Sequence, residues 1–305
     1  MKPTLVVLAA GMGSRYGKLK QMDGFGPNGE TIIEYSIYDA IKAGFGKVVF
    51  IIRESFSDPF REYFNDKLND KIDVEYVYQE TDMLPPGFEY LKNREKPWGT
   101  AHAIWVARDK VTEPFGVINA DDYYGVDAYY VLAKFLKDQY NTGSQDYGVV
   151  SYYLRNTLSD HGTVNRGVCE VNESGHLLSV RECVKIRRGE SGIISYPEGE
   201  RIFNLPENTL VSMNMWGFLP TYFNYCEKLF TDFLLEEGNN PGAEFFIPKL
   251  IDHLIHKNIL RVKVLKTESD WFGVTYQEDK PFVMEKIKAL VEQKVYPSSL
   301  WTPDE

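Results

Sequence analysis

The sequence predicts an α/β fold with a mostly parallel central sheet and helices on both faces. Three observations predict this class. Short apolar runs alternate with helical periodicities through the first half, small or polar residues follow several of these runs, and no internal repeat is found. Strand–helix–strand order implies right-handed crossovers and parallel neighbouring strands. Since ligands bind beyond the carboxyl ends of such strands, we expect the functional residues there.

The elements of the first half follow from apolar spacing. Residues 4–10 form a continuous apolar run, as in a buried parallel strand. Residues 32–43 show isoleucines at every fourth position, and Thr31 with Glu34 has the spacing of a capping box. The alternation continues with predicted strands at 47–52, 73–78, 115–120 and 147–154 and predicted helices at 57–68, 99–110 and 127–140.

The second half is less regular. A long loop is predicted at 80–96, where Pro85-Pro86-Gly87 and alternating charges break the rhythm. Residues 167–171 and 177–181 flank a turn at 172–175 and predict a β-hairpin. The remaining predictions are strands at 210–219 and 259–266, helices at 221–237, 243–257 and 280–293, and disorder from residue 297 onward.

Composition excludes several functional classes. The 305 residues are 43% hydrophobic and have a formal net charge of −10, with no basic stripe, so a nucleic acid is not an expected partner. No apolar run approaches the roughly 18 residues of a membrane span. The 3 cysteines form no CxxC pair, which disfavours a disulfide framework or a zinc site and favours a reducing, cytoplasmic location. Residues 5–10 are too short for an export signal.

A glycine loop follows the first predicted strand. Gly11 and Gly13 let backbone N–H groups approach phosphate oxygens, and Arg15 adds a cation that can bind a phosphate bidentately. A Rossmann loop would have its third glycine one position before Gly17, and the acidic Glu54 lies about twice as far away as that fold requires. The P-loop pattern GxxxxGK[ST] is absent. A plain turn without a ligand remains an alternative for the loop taken alone.

Residues 8–15, Leu-Ala-Ala-Gly-Met-Gly-Ser-Arg, resemble the LAAGxGxR signature of sugar-1-phosphate nucleotidyltransferases. The resemblance implies that Arg15 and Lys20 are catalytic and offset charge on the triphosphate and on departing pyrophosphate. Lys18 is the alternative to Lys20, because Leu19-Lys20 stands where the family usually has Pro-Lys. The backbone expected to contact the base and phosphates belongs to Ala9, Ala10, Gly11 and Gly13.

Two further segments are similar to the nucleotide side of the family. Gln79, after the third predicted strand, resembles the glutamine that meets the base, and Gly99-Thr100-Ala-His resembles the segment whose glycine contacts the base through its backbone. Asp121 in Asn-Ala-Asp-Asp resembles the family's metal ligand. Mg²⁺ favours one or two carboxylates together with phosphate oxygens, so Mg²⁺ is the implied cofactor.

The sugar side of the resemblance is looser. It implies contacts from Gly162, Glu182 and Asn214 to the sugar. Cys183 stands where the family often has a lysine that meets the sugar phosphate, and Lys185 is the implied replacement.

The second metal ligand is not fixed by the resemblance. Aligned on Trp271, the ligand position falls on Gly273, which has no side chain to offer. Asp270 is then the nearest carboxylate and is taken as the second metal ligand. The hydroxyl of Thr275 is a poorer ligand for Mg²⁺.

As a whole, the resemblance implies the nucleotide-diphospho-sugar transferase fold with a sugar-side β-hairpin. Residues 1–282 would form one domain, with a nucleotide-binding half at 1–125 and a sugar-phosphate half at 126–282, followed by a C-terminal helix and tail at 283–305. The expected reaction is metal-dependent transfer from an NTP, UTP or dTTP favoured, to a sugar 1-phosphate. A homo-oligomer is compatible with it.

The sequence has three alternative functional interpretations. One is a non-catalytic homologue that binds sugar nucleotides, and another is a cytidylyltransferase acting on an alcohol phosphate. The third, an NAD(P) oxidoreductase, is disfavoured by the glycine spacing.

Overall fold

The computed structural model describes residues 1–11, 23–88, 94–159, 162–273 and 279–302. Its strands are β1 (Thr4–Leu8), β2 (Lys47–Ile52), β3 (Asp73–Tyr78), β4 (Phe115–Asn119), β5 (Asp122–Tyr123), β6 (Tyr147–Tyr153), β7 (Val164–Val171), β8 (Leu177–Arg188), β9 (Ile194–Glu198), β10 (Arg201–Leu205), β11 (Leu210–Phe218), β12 (Val262–Thr267) and β13 (Phe272–Gly273). Its helices are α1 (Ile32–Ala43), α2 (Ser57–Leu68), α3 (Thr100–Trp105), α4 (Val126–Thr142), α5 (Thr221–Glu237), α6 (Ile247–His256) and α7 (Asp279–Glu292).

The described residues form one 11-stranded sheet and a separate two-stranded ribbon of β5 and β13. The centre of the large sheet has the order β3-β2-β1-β4-β11-β6-β12. β11 is antiparallel to its three partners β4, β6 and β7, whereas the β1–β2, β1–β4, β2–β3 and β6–β12 pairs are parallel. The predicted mostly parallel sheet is confirmed.

Helices cover both faces of this sheet. Within β1, Val6 belongs to the buried cluster with α3, α5 and α6, whereas Leu5 and Val7 belong to the cluster with α1, α2 and α4. Strand side chains alternate between faces, so a continuous apolar run is what a sheet buried on both faces requires. The predicted helices on both faces are therefore confirmed.

The predicted hairpin is part of a larger antiparallel branch of the sheet, which consists of β7, β8, β9 and β10 and starts at β11. β7 and β8 are longer than the predicted strands, and β9 and β10 extend the branch to the sheet edge. The sequence did not indicate the last two strands, because four of the five residues of β10 are exposed and β9 contains Pro197. β9 pairs with β8 only through Ile194 and Ser195, and Pro197 lies beyond these residues and pairs only with β10. The N–H that Pro197 lacks is therefore not needed for hydrogen bonds to β8.

Two predicted helix boundaries are wrong. α3 ends at Trp105 rather than residue 110, because the chain continues in turns such as Ala107 N–H to the Ile104 carbonyl. α6 begins at Ile247 rather than residue 243. The Phe245 backbone instead donates to the Trp98 carbonyl and accepts from Ala101, which holds the preceding segment extended.

The end of the chain packs against the body. The expected disorder from residue 297 is wrong for residues 297–302, because Leu300 is buried and the Trp301 indole donates to Glu34 at 2.7 Å. Glu34 also closes the capping box that was predicted with Thr31, which is confirmed. Its carboxylate further accepts from Tyr63 and Lys67, so one side chain joins α1, α2 and the C-terminal segment.

A buried acid beneath the C-terminal segment predicts a pH dependence of stability. Asp39 is buried and accepts from the Tyr296 hydroxyl at 2.7 Å, and burial raises the pKa of its carboxyl to about 7. In the unfolded chain the group ionises near its ordinary value. Its contribution to stability is therefore present at acidic pH and is lost as the pH rises from about 4 to about 7.

Asp39→Asn retains the acceptor for Tyr296 and removes this ionisation. We expect the variant to exceed the wild type in free energy of unfolding at pH 8 by on the order of 2 kcal/mol, and to lose the advantage near pH 4.5. Urea unfolding at both pH values measures the difference. A variant less stable than the wild type at pH 8 would contradict the assignment.

Candidate functional site

Two chain segments leave the sheet side by side at the carboxyl ends of β1 and β4. The register pairs Leu8 with Asn119, and the Ala120 N–H donates to the Leu8 carbonyl at 3.2 Å. Ala9 and Ala10 are buried, whereas Gly11 is exposed with open space around it. The predicted loop start therefore faces the segment that leads to half-buried Asp121. The predicted Gly13, Arg15 and Lys20, together with Lys18, lie outside the described residues.

Gln79 and Gly99 are in direct contact. Gln79 follows β3, is buried, and donates from Nε2 to the Gly99 carbonyl at 3.1 Å. The same nitrogen lies 3.1 Å from Nδ1 of His102, and Nε2 of His102 lies 2.8 Å from the Met83 carbonyl. Two residues predicted to meet the base are thus brought together.

Gly99 occupies a position that requires glycine. Its φ is +103°, and a Cβ there would lie 2.6 Å from the Phe245 carbonyl oxygen. The adjacent Thr100 hydroxyl accepts from Ile247 N–H at 3.2 Å, which caps the start of α6. Thr100 therefore has a structural partner, and its predicted nucleotide contact remains a prediction.

The acidic pair divides into two environments. Asp122 is buried and its Oδ2 accepts from the Asn119 amide at 2.9 Å and from the Tyr124 hydroxyl at 3.2 Å. Burial first, and the neighbouring charge of Asp121 second, raise the pKa of the Asp122 carboxyl well above its ordinary value, against the effect of these donors and of Arg166. Asp121 is the more accessible carboxylate of the two.

Asn214 lies at an irregularity in β11 and joins this network. The β11–β6 register shifts between Ser212 and Trp216, and Asn214 has a left-handed backbone with φ +61°. Its amide donates to Oδ1 of Asn119 at 2.7 Å and accepts from the Trp216 indole at 2.9 Å. The bulge thus turns the predicted sugar residue towards the carboxyl end of β4, as bulges often do beside binding sites.

Arg166 is a buried cation that the sequence did not single out. It donates to the carbonyl and hydroxyl of Thr157, and its guanidinium lies 4.7 Å from the centre of the Trp271 ring. Burial lowers its pKa to about 10, and the charge of Asp122 opposes that effect. Arg166 pairs with Cys183 across β7 and β8, so a cation stands opposite the position where the family often has lysine.

The remaining sugar-side residues are exposed. Gly162 precedes β7 with open space around it, and Glu182 on β8 pairs with Gly167, whose other neighbour is Ser212. Glu182 is therefore two strands away from the β11 bulge. Lys185 is exposed with φ +57°, and its N–H donates to the Asn165 side chain at 2.9 Å.

The segment predicted to hold the second metal ligand lies beside the acidic pair. Gly273 pairs with Asp122, and a Cβ on Gly273 would lie 2.6 Å from Oδ1 of Asp122. The Asp122 carboxylate thus fills the space where a side chain at 273 would begin. Asp270 is exposed; burial raises the pKa of Tyr123 most, and the charge of Asp270 adds a smaller effect in the same direction. Thr275 lies outside the described residues.

The donor set fits Mg²⁺ better than a metal held entirely by protein. Within the described parts of the chain, no group of three or more His, Cys, Asp or Glu side chains could hold a metal ion. Mg²⁺ is usually bound by one or two carboxylates together with substrate phosphates and water. Asp121, adjacent to Asp122 in the chain, matches that pattern. Asp121 would hold the ion and the phosphates would complete its shell.

The fold is that of an α/β protein, and the candidate site residues follow the carboxyl ends of β1, β3 and β4, where ligands of such sheets usually bind. Residues 5–182 match the family model of nucleotidyl transferases. Because this match spans more than half of the chain, the chain belongs to the nucleotidyl transferase family.

Solved structures with the same fold have low sequence identity. They include the inositol-1-phosphate CTP transferase from T. maritima (15% identity, TM-score 0.57, covering 94% of this chain and 96% of that one). A UDP-glucose pyrophosphorylase complexed with UDP-glucose has 16% identity, a TM-score of 0.58 and coverage of 95% and 99%. A putative glucose-1-phosphate thymidylyltransferase from Bacillus anthracis has 12% identity, a TM-score of 0.61 and coverage of 93% and 95%. No curated protein sequence matches the chain.

Proposed function

We propose that this protein transfers a nucleotidyl group from an NTP, UTP or dTTP favoured, to a sugar 1-phosphate, with release of pyrophosphate. The main supporting observation is that Gly11, Gln79 and Asp121 follow the carboxyl ends of β1, β3 and β4, at the same edge of the sheet, in a chain that belongs to the nucleotidyl transferase family. The structural neighbours that act on glucose phosphates or contain UDP-glucose agree with this substrate class.

The proposed reaction needs no general base. A phosphate oxygen of the sugar 1-phosphate, already ionised at neutral pH, attacks the α-phosphorus in line, and the bond to the β-phosphate breaks to release pyrophosphate. The protein's task is positioning and charge stabilisation. Asp121 would hold Mg²⁺, which would supply positive charge to offset that of the phosphates, and Arg15 and Lys20 would bind the triphosphate and the leaving pyrophosphate.

Base and sugar would be bound on opposite sides of Asp121. Gln79 and the Gly99 backbone receive the base, since they lie beyond β3 and at the start of α3. Asn214 receives sugar hydroxyls, because its amide nitrogen has a second hydrogen besides the one given to Asn119. Glu182 and Gly162 would complete the sugar side from the β7–β8 branch.

A substrate panel tests this proposal. UTP, dTTP, CTP and ATP are each combined with hexose 1-phosphates, N-acetylhexosamine 1-phosphates and alcohol phosphates, and pyrophosphate release is measured with and without EDTA. We expect release with UTP or dTTP and a sugar 1-phosphate, and none with EDTA. Release only with CTP and an alcohol phosphate would replace the proposal by the second candidate, which the inositol-1-phosphate CTP transferase neighbour favours. Nucleotide binding without release would indicate the non-catalytic alternative.

The cellular location and the oligomeric state of the protein are proposals as well. No helix among the described residues is long and apolar enough to cross a membrane, and all 3 cysteines are buried as free thiols. A cytoplasmic location is our proposal. The homo-oligomer also stays a prediction, which light scattering of the purified chain would check.

A further inference from the structure

The loop between β3 and α3 is tied to two buried aromatic side chains. The Trp98 indole donates to the Thr81 carbonyl at 2.9 Å, and Nε2 of His102 lies 2.8 Å from the Met83 carbonyl. Both aromatic residues are buried. Since a carbonyl can only accept, the hydrogen of the His102 ring is on Nε2, and burial lowers its pKa to about 4, which keeps the ring neutral.

This tautomer fixes the role of the other ring nitrogen. A neutral imidazole with its hydrogen on Nε2 has a lone pair on Nδ1, so Nδ1 accepts a hydrogen bond. The atom of Gln79 that lies 3.1 Å from Nδ1 must therefore be a donor. The same atom faces the Gly99 carbonyl at 3.1 Å, which is a second acceptor.

Two acceptors on one side fix the orientation of the Gln79 amide. The amino nitrogen Nε2 has two hydrogens, and one goes to each acceptor. A flipped amide would place its carbonyl oxygen against the Gly99 carbonyl and the Nδ1 lone pair, and three acceptors would then meet in a buried site. The carbonyl oxygen Oε1 is consequently the atom through which this amide can bind a further group.

We propose that His102, oriented by the Met83 carbonyl, is a positioning residue that locks the Gln79 amide so that Oε1 accepts a hydrogen bond from the nucleotide base. The inference rests on the proposed function, in which Gln79 meets the base of UTP or dTTP. The donor on such a base is the imino group N3–H. The loop between β3 and α3 then has a specific task. Its Met83 carbonyl sets the tautomer of His102, and this tautomer fixes the orientation of the Gln79 amide.

Two substitutions at residue 102 separate positioning from packing. His102→Phe keeps an aromatic ring against Phe230, whose ring centre lies 5.0 Å from that of His102, but removes both ring nitrogens. His102→Asn loses the aromatic packing and the bond to Met83, but keeps an acceptor oxygen close to the place of Nδ1. If His102 acts by holding Gln79, asparagine retains nucleotide binding better than phenylalanine does. A purely structural role predicts the reverse.

The test measures UTP and dTTP affinity by calorimetry, alongside KM for the NTP and for the sugar 1-phosphate. We expect His102→Phe to weaken NTP binding by about tenfold and to leave the KM for sugar 1-phosphate within about twofold. His102→Asn should stay within about threefold for both. The wild type should bind UTP at least about tenfold more tightly than 3-methyluridine triphosphate, which lacks N3–H, and His102→Phe should lose most of that discrimination.

The outcomes distinguish the inference from the proposed function. Wild-type affinity in His102→Phe, equal losses in both variants, or equal wild-type binding of UTP and its 3-methyl analogue would overturn the inference. A wild type that binds UTP or dTTP without releasing pyrophosphate would overturn the proposed function alone, because calorimetry would still decide the role of His102. A wild type that binds neither nucleotide would overturn both.

Discussion

Asp121→Ala is expected to slow pyrophosphate release by at least about a thousandfold while the protein stays folded. Removal of one oriented electrostatic contact in a transition state typically costs about 10²–10³ in rate, and this carboxylate would hold the ion that offsets charge on several phosphate oxygens. Asp121 is only half-buried, and it follows β4 instead of packing within the core, so its loss should cost little stability. Rates at saturating Mg²⁺ and substrates, with thermal unfolding in parallel, measure both effects.

A matched control for this variant is Asp138→Ala. Asp138 is an exposed carboxylate on α4, and its substitution should leave the rate unchanged. Near-normal pyrophosphate release from Asp121→Ala would remove Asp121 from the site. A slow variant with much reduced thermal stability would show that the residue acts through the fold.

Arg15→Ala is expected to lower kcat by about 10²–10³ with a smaller change in the KM for the sugar 1-phosphate. The reason is that Arg15 is assigned to the triphosphate and to the leaving pyrophosphate, whose charge grows as the bond to the α-phosphorus breaks. A guanidinium binds phosphate oxygens bidentately, so Arg15→Lys should recover only part of the rate. Steady-state kinetics of the two variants test this assignment.

The control for Arg15 is Arg201→Ala. Arg201 is exposed on β10, at the edge of the sheet, and its loss should not affect the rate. An unchanged kcat for Arg15→Ala would transfer the role to another cation, of which Lys20 and Lys18 are the nearest in sequence.

Much of the fold could be predicted because its signals are local. The strands predicted at 47–52 and 73–78 coincide with β2 and β3, and a capping box marks the start of α1. Parallel strands then bring their carboxyl ends to one edge, which is why Gly11, Gln79 and Asp121 could be expected together from order alone.

The remaining features depend on contacts between distant residues. α6 starts late because the Phe245 backbone pairs with Trp98 and Ala101, on either side of residues 99–100, and local helix propensity does not reveal that contact. Arg94 is another example. It is buried with its guanidinium donating to four backbone carbonyls, of Pro97, Asn240, Pro241 and Ala243, yet in the sequence it stands in a polar loop.

The hydrogen-bond network around Asp122 could not be predicted from the sequence either. The sequence places Asp121 and Asp122 side by side and assigns the metal to Asp121, but only the structure shows that burial against Asn119 and Tyr124 makes Asp122 part of the supporting structure. Its charge partner Arg166 comes from β7, across a strand pairing that only the folded sheet defines. Buried polar networks of this kind fix geometry when every member is satisfied.

A transfer experiment with α-labelled UTP or dTTP and hexose or N-acetylhexosamine 1-phosphates tests the proposed reaction directly. We predict that the wild type moves the label into a nucleoside diphosphate sugar, releases one pyrophosphate for each product, and stops when EDTA removes Mg²⁺. Label that remains in the triphosphate with every sugar 1-phosphate, although the protein binds the nucleotide, would contradict the proposed reaction.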